Sequence, residues 1–232
     1  MLTLESVQFR YEDMIMNFDL HVAKGELVGI IGPSGAGKST LLSLIAGFDA
    51  PISGRLSIAG NSMDGITPDQ RPVSMIFQDH NSFAHLDVWT NVALGISPSL
   101  KLDPRQSDLI NSALEQVGLL EFKSRKPTEL SGGEKQRIAI ARALVRDKPV
   151  LLLDEPFTAL GPALRREMLD LIKEIQSERK LTVLMVTHQP EDAKYAATRI
   201  AFVHAGRIAH FLPTKQFFAA SAPAEISAYL RG

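Results

Sequence analysis

Cysteine is absent from the 232 residues of this sequence, which excludes a disulfide framework, a metal site built from thiolates and a cysteine nucleophile. Long apolar runs are also missing: the longest, such as Leu27 to Ile31 and Val150 to Leu153, are far shorter than the roughly 20 residues that a membrane-spanning helix needs. The segment Met1 to Glu5 lacks the basic and apolar regions of a signal peptide. We therefore expect a chain that is soluble on its own and reaches a membrane only through a partner.

The sequence also lacks an excess of charge of one sign, since 25 basic residues stand against 26 acidic ones and the net charge is -1. A chain whose main partner is nucleic acid usually carries a basic excess or a basic stripe. The densest basic stretch, Lys123 to Lys126, is short and is interrupted by Ser124. This balance argues against nucleic acid as a partner. With 45% hydrophobic and 22% charged residues, the composition is that of a globular protein and excludes wholesale disorder.

Strand and helix patterns follow one another in a definite order along the chain. The first 30 residues alternate as strands do, and residues 85–145 have mainly helical periodicity. Val150 to Leu153 and Leu181 to Val186 are apolar on successive residues, as expected for strands covered on both faces of a parallel sheet. We predict one α/β domain over residues 1–232, with a mostly parallel sheet and flanking helices. An antiparallel β subdomain is expected at about 1–30 and 55–75, and a helical subdomain at about 85–145.

A glycine-rich segment, Gly32 to Ser39, fits the pattern G-x-x-x-x-G-K-[S/T]. It follows a predicted strand and opens a predicted helix, which is the context in which this pattern binds phosphate. The glycines let backbone N–H groups face inward, and the helix adds its positive N-terminal end. Lys38 supplies a cation to the β- and γ-phosphates, and the Ser39 hydroxyl can bind Mg²⁺. We predict a site for a nucleoside triphosphate formed by Gly32, Pro33, Ser34, Gly35, Ala36, Gly37, Lys38, Ser39 and Thr40.

Two acidic residues, Asp154 and Glu155, end the apolar strand that begins at Val150. Consecutive side chains diverge at the end of a strand, so the two carboxylates have different tasks. Asp154 is placed to hold Mg²⁺ through its water shell, and Glu155 to polarise the attacking water. Alone, the pair is equally typical of a solvated acidic turn; combined with the phosphate loop, it favours a catalytic site.

The segment Leu130 to Arg137 has the sequence LSGGEKQR. Ser131 and Glu134 have the spacing of a capping box, and the glycines between them expose backbone N–H groups at the start of a helix. With this segment and the phosphate loop, the chain resembles the nucleotide-binding subunits of ABC transporters over its whole length. The resemblance implies a P-loop NTPase core and a homodimer, in which the helix start of one subunit faces the γ-phosphate held by the other. ATP contacts are then expected from Ser131, Gly132, Gly133 and Glu134.

The same resemblance gives roles to three further residues. Tyr11 matches the aromatic residue that stacks on adenine, although a half-buried aromatic in a strand is the alternative. Gln78 matches the glutamine that touches Mg²⁺ and the attacking water, and His188 matches the switch histidine near the γ-phosphate. The implied catalytic residues are Glu155, His188 and Gln78, and the implied Mg²⁺ ligands are Ser39, Gln78 and Asp154.

The sequence departs from the family pattern at two positions. Glu134 stands where glutamine is usual, and since either residue completes the capping box we expect a small effect. Gly161 stands where an aspartate is usual, directly before Pro162 at a predicted helix start. That aspartate contacts the opposite subunit in the family, so a contact across the dimer is expected to be lost.

Three segments, at residues 71–75, 83–102 and 162–169, look like those of the ATP-binding subunits of bacterial thiamine importers. This resemblance implies uptake of thiamine and its phosphate esters. The partners would be transmembrane permease subunits and, indirectly, a periplasmic thiamine-binding protein, with the chain peripheral at the cytoplasmic face of the inner membrane. The alternatives are the ATPase of another small-substrate importer, a soluble ABC protein acting on nucleic acid or ribosomes, a nucleotide kinase and a non-hydrolysing regulatory binder. The segment at Ser131 argues against the kinase, and Glu155 against the non-hydrolysing binder.

Overall fold

The computed structural model describes residues 1–12, 14–78 and 82–231. Ten strands run through these residues: β1 (Leu2–Tyr11), β2 (Met14–Val22), β3 (Leu27–Ile31), β4 (Ser53–Ile58), β5 (Asn61–Ser62), β6 (Val73–Ile76), β7 (Val150–Asp154), β8 (Thr182–Val186), β9 (Arg199–His204) and β10 (Arg207–Pro213). The α-helices of the described residues are α1 (Lys38–Ala46), α2 (Val88–Ala93), α3 (Pro104–Gln116), α4 (Gly132–Leu144), α5 (Pro162–Arg179), α6 (Pro190–Ala196), α7 (Thr214–Phe217) and α8 (Ala224–Arg231). Short 3-10 turns lie at Leu120–Phe122 and Pro127–Glu129.

All the strands join in one sheet, with the order β5-β4-β1-β2-β10-β9-β3-β8-β7-β6. Strands β9, β3, β8, β7 and β6 are parallel to one another, whereas β1, β2, β4 and β5 pair antiparallel. The hairpin of β9 and β10 connects the two parts, because β10 pairs with β2 at Arg207 and Asn17. The predicted α/β class with a mostly parallel core is therefore confirmed.

Apolar side chains cover both faces of the parallel strands, as their unbroken hydrophobic runs predict. Alternate residues of β3 and β7 point to opposite sides: Val28 and Leu152 pack with α1, whereas Leu27 and Leu153 pack with α2 to α6. The antiparallel strands share the core of α1. Helix α1 therefore packs against both the parallel and the antiparallel part of the sheet.

Several predicted boundaries move by one or two residues. The strand predicted at Leu181 to Val186 begins at Thr182, and the apolar strand predicted from Val150 to Leu153 extends to Asp154. Strands β3 and β6 lie in the ranges expected for a β subdomain but pair in parallel with core strands. The division into subdomains stays a prediction.

Arg71 ties the C-terminal end of α1 to the loop that follows β5. Arg71 is 6% exposed, and its guanidinium donates to the carbonyl oxygens of Leu44 at 2.6 Å and Ile45 at 2.9 Å. It also donates to those of Ile66 at 3.0 Å and Met63 at 3.2 Å. The last carbonyls of a helix have no partner within the helix, so this one side chain satisfies both the helix end and the loop.

We expect Arg71→Met to lower the free energy of unfolding by about 2–4 kcal/mol, because buried carbonyl groups lose a charged donor. Urea denaturation measures the change. Arg55→Met is the matched control, because the Arg55 side chain is 72% exposed and forms only a long ion pair with Glu5, at 3.9 Å. We expect this variant to change the free energy of unfolding by no more than about 0.5 kcal/mol. Equal losses in the two variants would contradict the role given to Arg71.

Candidate functional site

The glycine-rich loop leaves β3 at a point where only glycine fits. Gly32 has a φ of 155°, and a Cβ atom there would lie 1.9 Å from the carbonyl oxygen of Val203. Strand β9 causes this close approach, because Ile31 pairs with Phe202 in parallel. The loop ends at Gly37, the residue before α1, in the left-handed conformation with a φ of 103°. The two glycines fix where the loop starts and how the helix begins.

Lys38 is the first residue of α1, and its side chain folds back across the loop. The Nζ atom donates to the carbonyl oxygens of Gly32 at 2.9 Å and Pro33 at 2.8 Å. Burial lowers the pKa of Lys38, and the charges of Glu155 and Asp154 oppose that effect. The ammonium group is thus held on the loop with acidic groups nearby.

Ser39 and Asp154 meet although 115 positions separate them. The Ser39 hydroxyl donates to a carboxylate oxygen of Asp154 at 3.2 Å. Burial raises the pKa of Asp154, and the hydrogen bond from Ser39 opposes this. Both side chains offer the hard oxygen atoms that Mg²⁺ prefers, and Mg²⁺ commonly takes one or two protein oxygens and completes its shell with phosphate and water. The pair fits such a site, and in the described part of the chain no cluster of three or more His, Asp or Glu side chains offers another.

Glu155 and His188 form a close pair at the ends of neighbouring strands. The Nε2 atom of His188 lies 2.5 Å from a carboxylate oxygen of Glu155. Their strands β7 and β8 are parallel with Asp154 level with Val186, so the turns that follow them leave the sheet side by side. Glu155 has a φ of 50°, a left-handed conformation uncommon for a side chain of this kind, and its N–H donates to the carbonyl of Val186 at 3.1 Å. Such conformations concentrate at functional sites.

A cleft of about 380 Å³ gathers many of the predicted residues on one chain. Tyr11 is at its edge with 57% of its surface exposed. Met16 also lines the cleft, and no motif in the sequence predicts this role, because a buried methionine in a strand looks like any core position. The lining residues are Tyr11, Met16, Ser34, Gly35, Gly37, Lys38, Ser39, Thr40, Glu155 and His188.

Gln78 and the segment at Ser131 are not among the residues that line this cleft. Gln78 is exposed and follows β6, which is parallel to β7 with Ile76 level with Leu153, so it leaves the sheet beside Asp154 and Glu155. Asp79, the next residue of the predicted motif, lies outside the described residues.

The predicted capping box is present at the start of α4. The Ser131 N–H donates to a Glu134 carboxylate oxygen at 2.7 Å, and the Glu134 N–H donates to the Ser131 hydroxyl oxygen at 3.4 Å. Hydrogen bonds from Ser131 lower the pKa of Glu134. Gly132 and Gly133 form the first turn of this capped helix. A single chain therefore presents the loop cleft and the glycine-containing helix start as separate surfaces.

The loop, the acidic strand end and the capped helix lie in a stretch of the chain that matches a known protein family. Residues 15–158 match the family model described as ABC transporter. The chain therefore belongs to the ABC transporter family. Its phosphate loop, Asp154 and Glu155 and the segment at Ser131 all fall within the matched range or at its end.

Relatives within that family include thiamine import ATP-binding proteins. The chain is 51% identical over 208 residues to a thiamine import ATP-binding protein, ThiQ, of Vibrio cholerae, covering 90% of this chain and 87% of the relative. It is 49% identical over 231 residues to the ThiQ protein of Aliivibrio fischeri, covering 100% and 99%. Among solved structures, the ATP-binding cassette MJ0796, a dimer in a post-hydrolysis state with ADP and Pi, is 30% identical with a TM-score of 0.78, covering 92% of this chain and 99% of that one.

Proposed function

We propose that this chain is the ATP-hydrolysing subunit of an importer for thiamine and its phosphate esters. The observation that carries the proposal is the identity of about half the residues, end to end, with the ThiQ protein of Aliivibrio fischeri. Within the described residues, every helix is too short or too polar to cross a bilayer. In this proposal the chain joins permease subunits at the cytoplasmic face of the inner membrane, and a periplasmic thiamine-binding protein delivers the substrate.

The cleft supports ATP and Mg²⁺ as ligands. Lys38 places a cation on a glycine-rich loop at a helix N-terminus, which is a site for the phosphates of a nucleotide. Ser39 and Asp154 offer two oxygen ligands 3.2 Å apart, and bound Mg²⁺ would neutralise charge on the phosphates. Tyr11, exposed at the edge of the cleft, would stack on the adenine.

Hydrolysis is assigned to Glu155 and His188. The carboxylate of Glu155 lines the same cleft as the phosphate loop and can accept a proton from the attacking water. His188 is 41% exposed, and its contact with Glu155 orients that carboxylate. Gln78 leaves the sheet next to Glu155 and is proposed to complete the Mg²⁺ and water contacts.

A homodimer follows from the separation of the two surfaces. Because the helix start at Ser131 does not line the cleft of its own chain, it is free to face the nucleotide of a second copy. The dimeric cassette MJ0796 provides a precedent in a related chain. Each ATP would then lie between the loop of one subunit and the residues Ser131, Gly132, Gly133 and Glu134 of the other.

The assembled transporter tests the cargo. We expect the complex of this chain, its permease and its binding protein in lipid nanodiscs to hydrolyse ATP several times faster when the binding protein carries thiamine. Binding protein without ligand, and complexes given maltose or spermidine, serve as controls. Stimulation by another small molecule but not by thiamine would show that the chain serves a different importer. An absence of ATP hydrolysis would contradict the enzymatic assignment itself.

Gly161→Asp is expected to raise both stability and the ATPase rate of the assembled transporter. Gly161 caps α5 with φ −65° and ψ 161°, without a side-chain hydrogen bond, and a Cβ atom there meets nothing within 4 Å. Aspartate at an N-cap is better than glycine by a few tenths of a kcal/mol, and it would restore the contact across the dimer that the family resemblance implies. Thermal unfolding and phosphate release measure the two effects. Gly161→Ala is the control, and a rate for Gly161→Asp at or below that of the unmodified chain would contradict the contact.

A further inference from the structure

Arg165, in the first turn of α5, faces the turn that follows Glu155. Its Nη2 atom donates to the carbonyl oxygen of Leu160 at 3.0 Å, and its backbone N–H donates to that of Gly161 at 2.9 Å. The side chain is 19% exposed. One end of the guanidinium is therefore fixed to the segment that runs from Glu155 to Gly161.

The other side of the same guanidinium faces α6. Its Nε atom lies 3.9 Å from a carboxylate oxygen of Asp192, whose side chain is 15% exposed. This Nε atom is buried, and no atom of the described residues is within hydrogen-bond distance of it. Burial raises the pKa of Asp192 and the charge of Arg165 opposes that effect. Removing one partner of this mostly buried pair would leave the other charge without compensation, which is destabilising.

Asp192 in turn contacts the loop that carries His188. The Thr187 hydroxyl oxygen lies 3.5 Å from the Asp192 carboxylate and accepts from the Gln189 N–H at 3.0 Å. The Asp192 N–H donates to the carbonyl of Gln189 at 3.0 Å. His188 is thus held between two residues that are both anchored to Asp192.

The two turns leave a small space between them. A cavity of about 10 Å³, close to the space for one water molecule, lies between them and is lined on one side by Glu155 and Thr158 and on the other by Thr187, Gln189 and Asp192. The turns are joined directly by the contacts of Glu155 with His188 and with the carbonyl of Val186, and the pair of Arg165 and Asp192 adds a further link on the far side of this cavity.

We propose that Arg165 and Asp192 are a positioning pair that holds the turn of His188 in register with the turn of Glu155 and Gly161. Neither side chain lines the nucleotide cleft, so the pair acts through His188. The pair also links Gly161, at the start of α5, to the water-organising residues. This inference rests on the proposed role of His188 in hydrolysis.

The test measures ATP hydrolysis by the assembled transporter with Asp192→Asn and, separately, Arg165→Met. We expect each variant to lower kcat about tenfold or more, since a small displacement of a catalytic group has effects of this size, while KM for ATP changes less than about twofold. The double variant is expected to be no slower than the slower single variant, because both remove the same link. Glu191→Gln is the matched control: Glu191 precedes Asp192 on α6, has a 79% exposed side chain and pairs only loosely, at 3.8 Å, with Lys194.

A second measurement separates positioning from a general loss of structure. In the background of His188→Ala, single-turnover assays are expected to show less than a twofold further effect of Asp192→Asn. Nitrogen-15 NMR of labelled histidine is expected to show the His188 Nε2 resonance moved by Asp192→Asn but not by Glu191→Gln. Equal losses with and without His188, an unmoved resonance, or a full rate in His188→Ala would each overturn the positioning pair. A normal wild-type rate in those cases would leave the ATPase assignment standing, whereas a wild-type complex without hydrolysis would contradict the proposed function.

Discussion

Glu155→Gln is expected to stop ATP hydrolysis and to leave ATP binding intact. The amide has nearly the shape of the carboxylate but cannot take a proton from water, and removal of a general base typically lowers kcat by about 10²–10⁴-fold. The left-handed backbone of Glu155, with a φ of 50°, is no harder for glutamine than for glutamate. Phosphate release under single-turnover conditions measures the rate, and nucleotide titration measures the binding.

The same variant is expected to accumulate as a dimer when ATP and Mg²⁺ are present. In the proposed dimer, two chains close around ATP and reopen after hydrolysis, so a chain that cannot hydrolyse is expected to stay closed, and gel filtration detects the shift in size. Glu115→Gln is the control, because Glu115 is exposed on α3 and far along the chain from the cleft residues. Normal turnover in Glu155→Gln would reject the role of Glu155, and lost turnover without a dimer would reject the closed pair.

The parts of the site that the sequence predicts are those contained in one continuous segment. Gly32 to Ser39 needs only a strand before it and a helix after it, and both are present as β3 and α1. The capping box of Ser131 and Glu134 is likewise local, since all its hydrogen bonds join residues three positions apart. Spacing rules describe such features well because few neighbours outside the segment can change them.

The sheet order depends instead on contacts between distant segments. Strand β3 lies between β8 and β9, although about 150 residues separate it from them in sequence. The approach of Val203 to Gly32 and the contact of Glu155 with His188 both follow from that order. Periodicity shows that each strand is buried on both faces, but it does not say which strand is its neighbour.

The roles of buried polar residues are harder still to predict from the sequence. In the sequence, Arg71 is simply a basic residue before a strand. Its role is visible only in the fold, where carbonyl groups at the end of α1 and in the loop after β5 surround its guanidinium. The same holds for Asp192 and Arg165, because each contacts a partner on a different helix. From sequence alone, a charged side chain is expected to be exposed to solvent, since charged residues are rarely buried.

Lys38→Met is expected to remove most ATP binding. The side chain is 5% exposed, so methionine fits the same space and keeps the apolar contacts of the chain while the charge is lost. Removing one partner of a buried, hydrogen-bonded charge pair costs about 2–5 kcal/mol, which corresponds to a Kd at least about 30 times higher. Titration with a fluorescent ATP analogue in the presence of Mg²⁺ measures this change.

A loss of binding has two physical sources in this variant, and they can be separated. Lys38 Nζ also bonds to the carbonyls of Gly32 and Pro33, so the loop itself loses two hydrogen bonds. Thermal unfolding without nucleotide reports that effect, whereas Lys101→Met, at an exposed lysine, controls for a change of net charge. We expect a small drop in melting temperature beside a large drop in affinity, since the phosphates lose a direct cation and the core is unchanged. A Kd within threefold of the unmodified chain would show that the loop binds the nucleotide without this ammonium group.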